Sequence, residues 1–145
     1  SNMGPVEGAD MVEMFLKPAL RAAILTPAGD KKFAVLAQLY KDERSKTVTP
    51  HFAILERFYF NHIIKWEEMV PFEQNYLDDH QRATDSDGYS CLCKATLEHN
   101  IQVLSKIYLN ISFAQMGRML GIGAQQAEAV ISTMASEGRI KARLN

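Results

Sequence analysis

This chain of 145 residues lacks a disulfide framework, a long apolar run, a net field and any metal-ligand spacing. Its only cysteines are Cys91 and Cys93. On a predicted helix a C-x-C pair projects its thiols about 200° apart, so the two do not readily bridge. No stretch has the apolar length of a signal peptide or a membrane span, which predicts a soluble, unexported protein with no membrane partner. Lys+Arg number 16 and Asp+Glu 17, for a formal net charge of -1. That balance draws the chain neither to nucleic acid nor to an anionic surface, so its contacts must be local and set by shape.

The residues that usually carry chemistry are dispersed. His51, His62, His80 and His99 fall in four segments with no H-E-x-x-H or comparable spacing. Cys91, Cys93, Glu98 and His99, with His80, form the one group that could hold a metal or pair a thiol with a base. On a helix, however, Cys91 shares a face with Glu98 while Leu92 shares one with His99, which separates thiol from imidazole. Reduced, half-buried thiols and a helix histidine satisfied by backbone or carboxylate are the favoured reading. Gly121-Ile-Gly123 lacks the further glycine or Lys-Ser/Thr of a phosphate loop, and no strand precedes it. No catalytic, cofactor or metal site and no small-molecule substrate is predicted, and the chain reads as a non-enzyme.

What is present is helix. Hydrophobic residues make up 47% and charged residues 23%, an ordinary globular balance. Ser1-Asn2 looks like a tag-cleavage scar, and residues 1–9 read as a flexible lead-in. From Asp10 to Leu25 the apolar positions Met11, Met14, Phe15, Leu20 and Ile24 recur, with Pro18 either kinking the helix or starting a shorter one. Asp30 is placed to cap the next helix, which has Phe33, Leu36 and Tyr40 on one face and ends in the charged Lys41-Asp-Glu-Arg44. Thr49-Pro50 predicts a capped start for a deeply buried helix carrying Phe52, Leu55, Tyr59 and Ile63, widened by Ile54 and Phe58. Lys65 to Leu77 adds a short helix through Trp66, Met69, Phe72 and Tyr76, with a break anticipated at Pro71. Short antiparallel helices of this kind suggest a helical repeat over 10–84.

Ala83-Thr-Asp-Ser-Asp-Gly88 reads as a hinge. Tyr89 to Leu109 follows as a long spine helix with two apolar stripes: Leu92, Ala95, His99 and Val103 on one side, Leu97, Ile101, Leu104 and Tyr108 on the other. The remainder, within a second unit over 85–145, has the order helix, turn, helix, strand. Ser112 caps one helix with Gln115 reaching back, and Phe113, Met116 and Leu120 share its face. Gly121 and Gly123 make the turn. A second helix buries Ala127, Val130, Ile131 and Met134, ends at Gly138, and leads into a strand alternating Ile140, Ala142 and Leu144. This is a winged-helix pattern.

A DNA-reading winged helix lays its second helix in the major groove, with Lys or Arg near phosphates. From Ala124 to Glu137 there is no Lys or Arg, and Glu128 and Glu137 set the segment at minus two, so phosphate approach is repulsive. Gln125 and Gln126 could read a base, and Arg139, Lys141 and Arg143 lie on the alternate face of the strand. Nucleic acid is nevertheless disfavoured, and protein interaction is the better use.

Several strings then coincide with one family. Leu39-Tyr-Lys-Asp-Glu-Arg44, Ile54-Leu-Glu-Arg57 with Ile63-Ile64, His80-Gln-Arg-Ala-Thr84 with Asp87-Gly-Tyr-Ser90, Glu98-His-Asn100, Ser105-Lys-Ile-Tyr-Leu-Asn-Ile111 and Glu137-Gly-Arg139 resemble the subunit 4 family of the COP-9 signalosome. The likeness runs in order from about Ala23 to Arg139. It implies a PCI domain: a mostly α fold in which a helical-repeat bundle precedes a winged helix with a small β-sheet. It also implies an excised PCI region, because the long N-terminal repeat array and the second wing strand with its C-terminal helix have no counterpart here.

By the same resemblance, PCI subunits associate side by side through their winged-helix sheets, and a metalloprotease subunit on another chain removes a ubiquitin-like modifier from cullins. A non-catalytic scaffold in cytoplasm and nucleus follows, with other PCI subunits as partners. The implied sheet edge comprises Asn110, Ile111 and Ser112 before the first winged-helix helix, and Arg139, Ile140, Lys141, Ala142 and Arg143 after the second. An exposed strand edge offers unpaired N–H and C=O groups that a neighbouring strand can complete. A poorly covered edge would also favour self-association. The related proteasome-lid subunit and a nucleic-acid-binding winged helix stand as alternatives.

Overall fold

A computed structural model of the protein describes residues 5–107 and 112–140, and over them it is mostly helical. The chain opens with α1 (Pro5–Met11), passes through a π-helical turn at Val12–Leu16 and enters α2 (Lys17–Leu25). Pro18 falls in the first turn of α2, directly after the π-helical turn, and the backbone stays helical through it, with Leu16 and Lys17 both in the right-handed helical region. In α3 (Asp30–Lys41) the N-cap is Gly29, not Asp30, which instead puts a carboxylate in the positive first turn.

A 3-10 turn at Glu43–Thr47 leads to α4 (His51–Tyr59). Its N-cap is Pro50, and no side chain caps it, so Thr49 does not play the expected role. Ile54, Leu55 and Phe58 are buried and Phe52 and Tyr59 half-buried, while Ile63 lies beyond the helix and is exposed. The predicted stripe therefore stops at Tyr59. The next helix, α5 (Trp66–Tyr76), runs unbroken through Pro71, with Met69 and Phe72 buried.

After the single turn of α6 (Asp79–Arg82), the predicted hinge proves to be a closed turn. Thr84 and Ser90 form an antiparallel bridge. Asp85 Oδ1 accepts the amides of Asp87 at 2.9 Å and Tyr89 at 3.0 Å. Gly88 completes the reversal at φ 85. Ser90 Oγ then accepts the Cys93 amide at 3.2 Å, starting α7 (Cys91–Ile107).

This spine serves two apolar clusters. Leu92 and Ala95 join Leu20 and Ile24 of α2, Leu36 of α3 and Leu55 of α4. A turn later Leu97, Ile101 and Leu104 join Met116, Ala127, Val130, Ile131 and Met134 of α8 (Phe113–Leu120) and α9 (Ala124–Ser136). The α8–α9 pair follows its sequence closely. Ser112 Oγ accepts the Gln115 amide at 3.1 Å while Gln115 Oε1 accepts the Ser112 amide at 3.2 Å. Gly121 caps α8 at φ 75. Gly117 lets the turn close against α8, since a Cβ there would lie 2.6 Å from the Ile122 carbonyl.

Among the described residues there is no strand. Gly138, at φ 72, donates to the Ala135 carbonyl and Arg139 donates to Met134, the paired bonds of a Schellman ending for α9. Ile140 follows in a bend, packed against the second cluster. The expected strand from Ile140 to Leu144 thus has no strand geometry at its one described residue, and the rest of it lies outside the described residues.

Candidate functional site

Of the predicted edge, Asn110, Ile111, Lys141, Ala142 and Arg143 lie outside the described residues. Ser112 is taken up by the α8 cap. Ile140 is half-buried. Arg139 departs most from expectation, since it is not a free cation on an exposed face. Its guanidinium is engaged by the Glu98 carboxylate through both terminal nitrogens, Nη2 to Oε2 at 3.2 Å and Nη1 to Oε1. It also donates to Glu137 and, from Nη1, to the Ala28 carbonyl at 3.1 Å. Burial alone would lower the Arg139 pKa, but the carboxylates of Glu98 and Glu137 outweigh it and hold the group charged.

The second arm of this contact comes from a run of three polar residues inside the most buried helix. Glu98, His99 and Asn100 are all buried on α7, and each secures a different piece of chain. Glu98 Oε1 accepts the Ala28 amide at 3.1 Å. His99 Nε2 donates to the His62 carbonyl at 2.8 Å. Asn100 accepts the Ile64 amide at 2.8 Å and donates to the Ile64 carbonyl at 2.9 Å, satisfying one residue's backbone as a neighbouring strand would. One turn of α7 therefore fixes the α2–α3 loop, the α4–α5 loop and the turn after α9. Three adjacent polar residues midway along the spine, between Leu97 and Ile101, are the available signal, because buried polar groups persist where they are bonded.

Lys32, 3% exposed, lies beside this cluster. Its ammonium donates to the Ile24 carbonyl at 2.7 Å and sits 3.9 Å from the centre of the Phe58 ring. Burial lowers its pKa to about 7, against the pull of Glu98. Around Lys32, Phe33, Tyr59, Gln102, Lys106 and Arg139 runs an open groove of about 450 Å³.

The candidate chemical group does not converge. His99 is committed to the His62 carbonyl, and burial lowers its pKa to about 4. Glu98 is committed to Arg139 and Ala28. Cys91 is exposed, while the Cys93 thiol is pushed up, first by burial and then by Glu73 and Asp85, the opposite of nucleophile activation. Among the described residues no group of three or more His, Cys, Asp or Glu is placed to hold a metal ion. No helix among them is long and apolar enough to cross a membrane. On α9, Gln126 caps its own helix through the Gly123 amide at 2.8 Å, which removes one of the two base-reading candidates.

A helical array is packed through one spine onto a helix-turn-helix unit, with buried polar groups spent on joining segments. The PCI domain family model matches residues 70–145, just over half of the sequence, and the chain belongs to that family. Within it, the chain is similar to COP9 signalosome complex subunit 4. Identity to the Drosophila melanogaster protein is 42% over 130 residues, covering 90% of this chain and 31% of that one. The Neurospora crassa protein is 40% identical over 126 residues, 86% of this chain and 28% of that one. For Dictyostelium discoideum the identity is 41% over 125 residues, 86% and 31%. The chain spans about a third of the length of these curated relatives.

Proposed function

We propose that this chain is the PCI region of a non-catalytic scaffold subunit of the COP-9 signalosome, holding neighbouring PCI subunits in place while another subunit deneddylates cullins in cytoplasm and nucleus. The observation that carries this reading is the similarity to subunit 4 proteins over most of the chain, together with the family match across α8 and α9. Residues 10–84 supply the helical-repeat part and 85–145 the winged-helix part. The working surface is the edge that the resemblance assigns to Asn110, Ile111 and Ser112 with Arg139 to Arg143, a partner's strand pairing with backbone groups there other than the Ser112 amide and the Arg139 amide and carbonyl, which bond within the chain. The deployment of Glu98, His99 and Asn100 supports it, because these residues are spent on rigidity rather than chemistry. The test is co-purification of the full-length subunit with neighbouring PCI subunits. Ile140→Pro or Ala142→Pro removes a ladder donor and should abolish it, and unchanged assembly would overturn the edge model. Capture of proteasome-lid subunits instead would reassign the complex.

A further inference from the structure

The turn that carries the chain out of α9 is held by a carboxylate from another element. Glu98, with a side chain 4% exposed, engages both terminal nitrogens of Arg139. Between them these two residues also take both polar backbone atoms of Ala28: Glu98 accepts its amide, and Arg139 donates to its carbonyl. Gln102 Nε2 donates to the Arg139 carbonyl at 3.0 Å, so Arg139 is pinned at its main chain as well. Gly29 makes room for the aliphatic part of Arg139. A Cβ there would lie 3.2 Å from Arg139 Cγ and 3.3 Å from Cδ, and Gly29 adopts φ 153, where side chains are strained. The α9 ending requires none of this. Its Schellman bonds use Gly138 and backbone atoms only, and any residue at 139 except proline could complete them.

We propose that Glu98 is a positioning residue for the partner-binding edge: through Arg139 it sets the direction in which the chain leaves α9 at Arg139 and Ile140. This rests on the reading of that edge as the partner surface. A bidentate carboxylate–guanidinium pair admits one relative orientation, where a lone hydrogen bond or a lysine would admit many. Because the same pair grips Ala28, the helical-repeat part and the edge are held in one register.

The test uses the full-length subunit, with amide hydrogen exchange over 138–140 and affinity for purified neighbouring PCI subunits as readouts. Glu98→Gln keeps an acceptor for the Ala28 amide but removes the negative charge that faces Arg139. Helical content by circular dichroism should persist, exchange at 138–140 should accelerate about tenfold or more, and partner affinity should fall about tenfold. Gly29→Ala, which pushes on Arg139 from the other side, should move both readouts the same way. If Glu98→Gln does not fold, Arg139→Lys keeps a cation without the fork and serves both readouts. Unchanged exchange at 138–140 overturns the proposal, as does faster exchange with unchanged affinity while Ile140→Pro abolishes binding. If Ile140→Pro binds as well as wild type, the edge reading has failed and this proposal fails with it.

Discussion

The carboxylate of Glu98 on α7 and the guanidinium of Arg139 after α9, 41 residues apart in sequence, form a largely buried two-pronged ion pair that closes on the backbone of Ala28. It removes the nearest cation from any nucleic-acid surface and ties the turn after α9 to the α2–α3 loop. Such a pair is weak evidence for stability as a whole but costly to break from one side, because without Glu98 the guanidinium keeps only the exposed Glu137 carboxylate and the Ala28 amide loses its acceptor.

Glu98→Ala is therefore expected to destabilise the chain by about 3–5 kcal/mol. Urea unfolding followed by circular dichroism measures this. A loss below about 1 kcal/mol, the range of an exposed pair, would show that the carboxylate is not buried against Arg139 in solution.

Asn100→Ala strands the amide and carbonyl of Ile64, which is 1% exposed. Each orphaned buried group costs about 1–3 kcal/mol, so the variant should lose several kcal/mol and the Ile64 amide should lose its exchange protection. Asn100→Ala with wild-type protection at Ile64 would contradict the bond.

Lys32 makes stability rise with pH. Its folded pKa of about 7 lies below the unfolded value of 10.5, so between those values the unfolded chain binds more protons. Thermal melts from pH 7 to pH 10 should show rising stability that flattens in Lys32→Met. Because the Met variant also orphans the Ile24 carbonyl, the pH slope rather than the absolute stability is the readout. Equal pH slopes in the two proteins would refute the assignment.

The histidines act in the acid range. Burial holds His51 and His99 at about 4, well below 6.5, so each contributes stability that is complete above about pH 6.5 and lost as the pH falls toward 4. His51 packs edge-on against the stacked Phe72 and Tyr76 rings, with neither ring nitrogen hydrogen-bonded. His51→Phe should both raise the melting temperature at neutral pH and reduce the acid slope. A lower melting temperature would show that His51 has a polar partner.

Duplex DNA should not bind at physiological ionic strength, because Arg139 is occupied by carboxylates and α9 carries no Lys or Arg. A salt-dependent gel shift near 150 mM would reverse that expectation.

Local features were legible in the sequence. The Ser112–Gln115 cap, the glycine turn at Gly121, the buried face of α9 and the double-sided spine of α7 all came from residues within a few positions of one another. Caps, helical periodicity and left-handed glycines are short-range physics and need no tertiary partner. The same rules misplaced Thr49 as a cap, anticipated a break at Pro71 and took the 83–88 segment for a hinge. In each case packing or a closed hydrogen-bonded turn overrode composition. The family too was readable from ordered strings along the chain, and with it the expectation of a scaffold.

Tertiary structure alone decided what the buried polar residues do. Glu98-His-Asn100 and Glu137-Gly-Arg139 were visible as strings, yet nothing in their spacing says that Glu98 reaches Arg139, or that Ala28, His62 and Ile64 wait for the other bonds. Those pairings span tens of residues and follow from how α7 is docked. Once apolar clusters on both of its stripes exclude water, every carboxylate, imidazole and amide trapped between them must find its partner inside the protein.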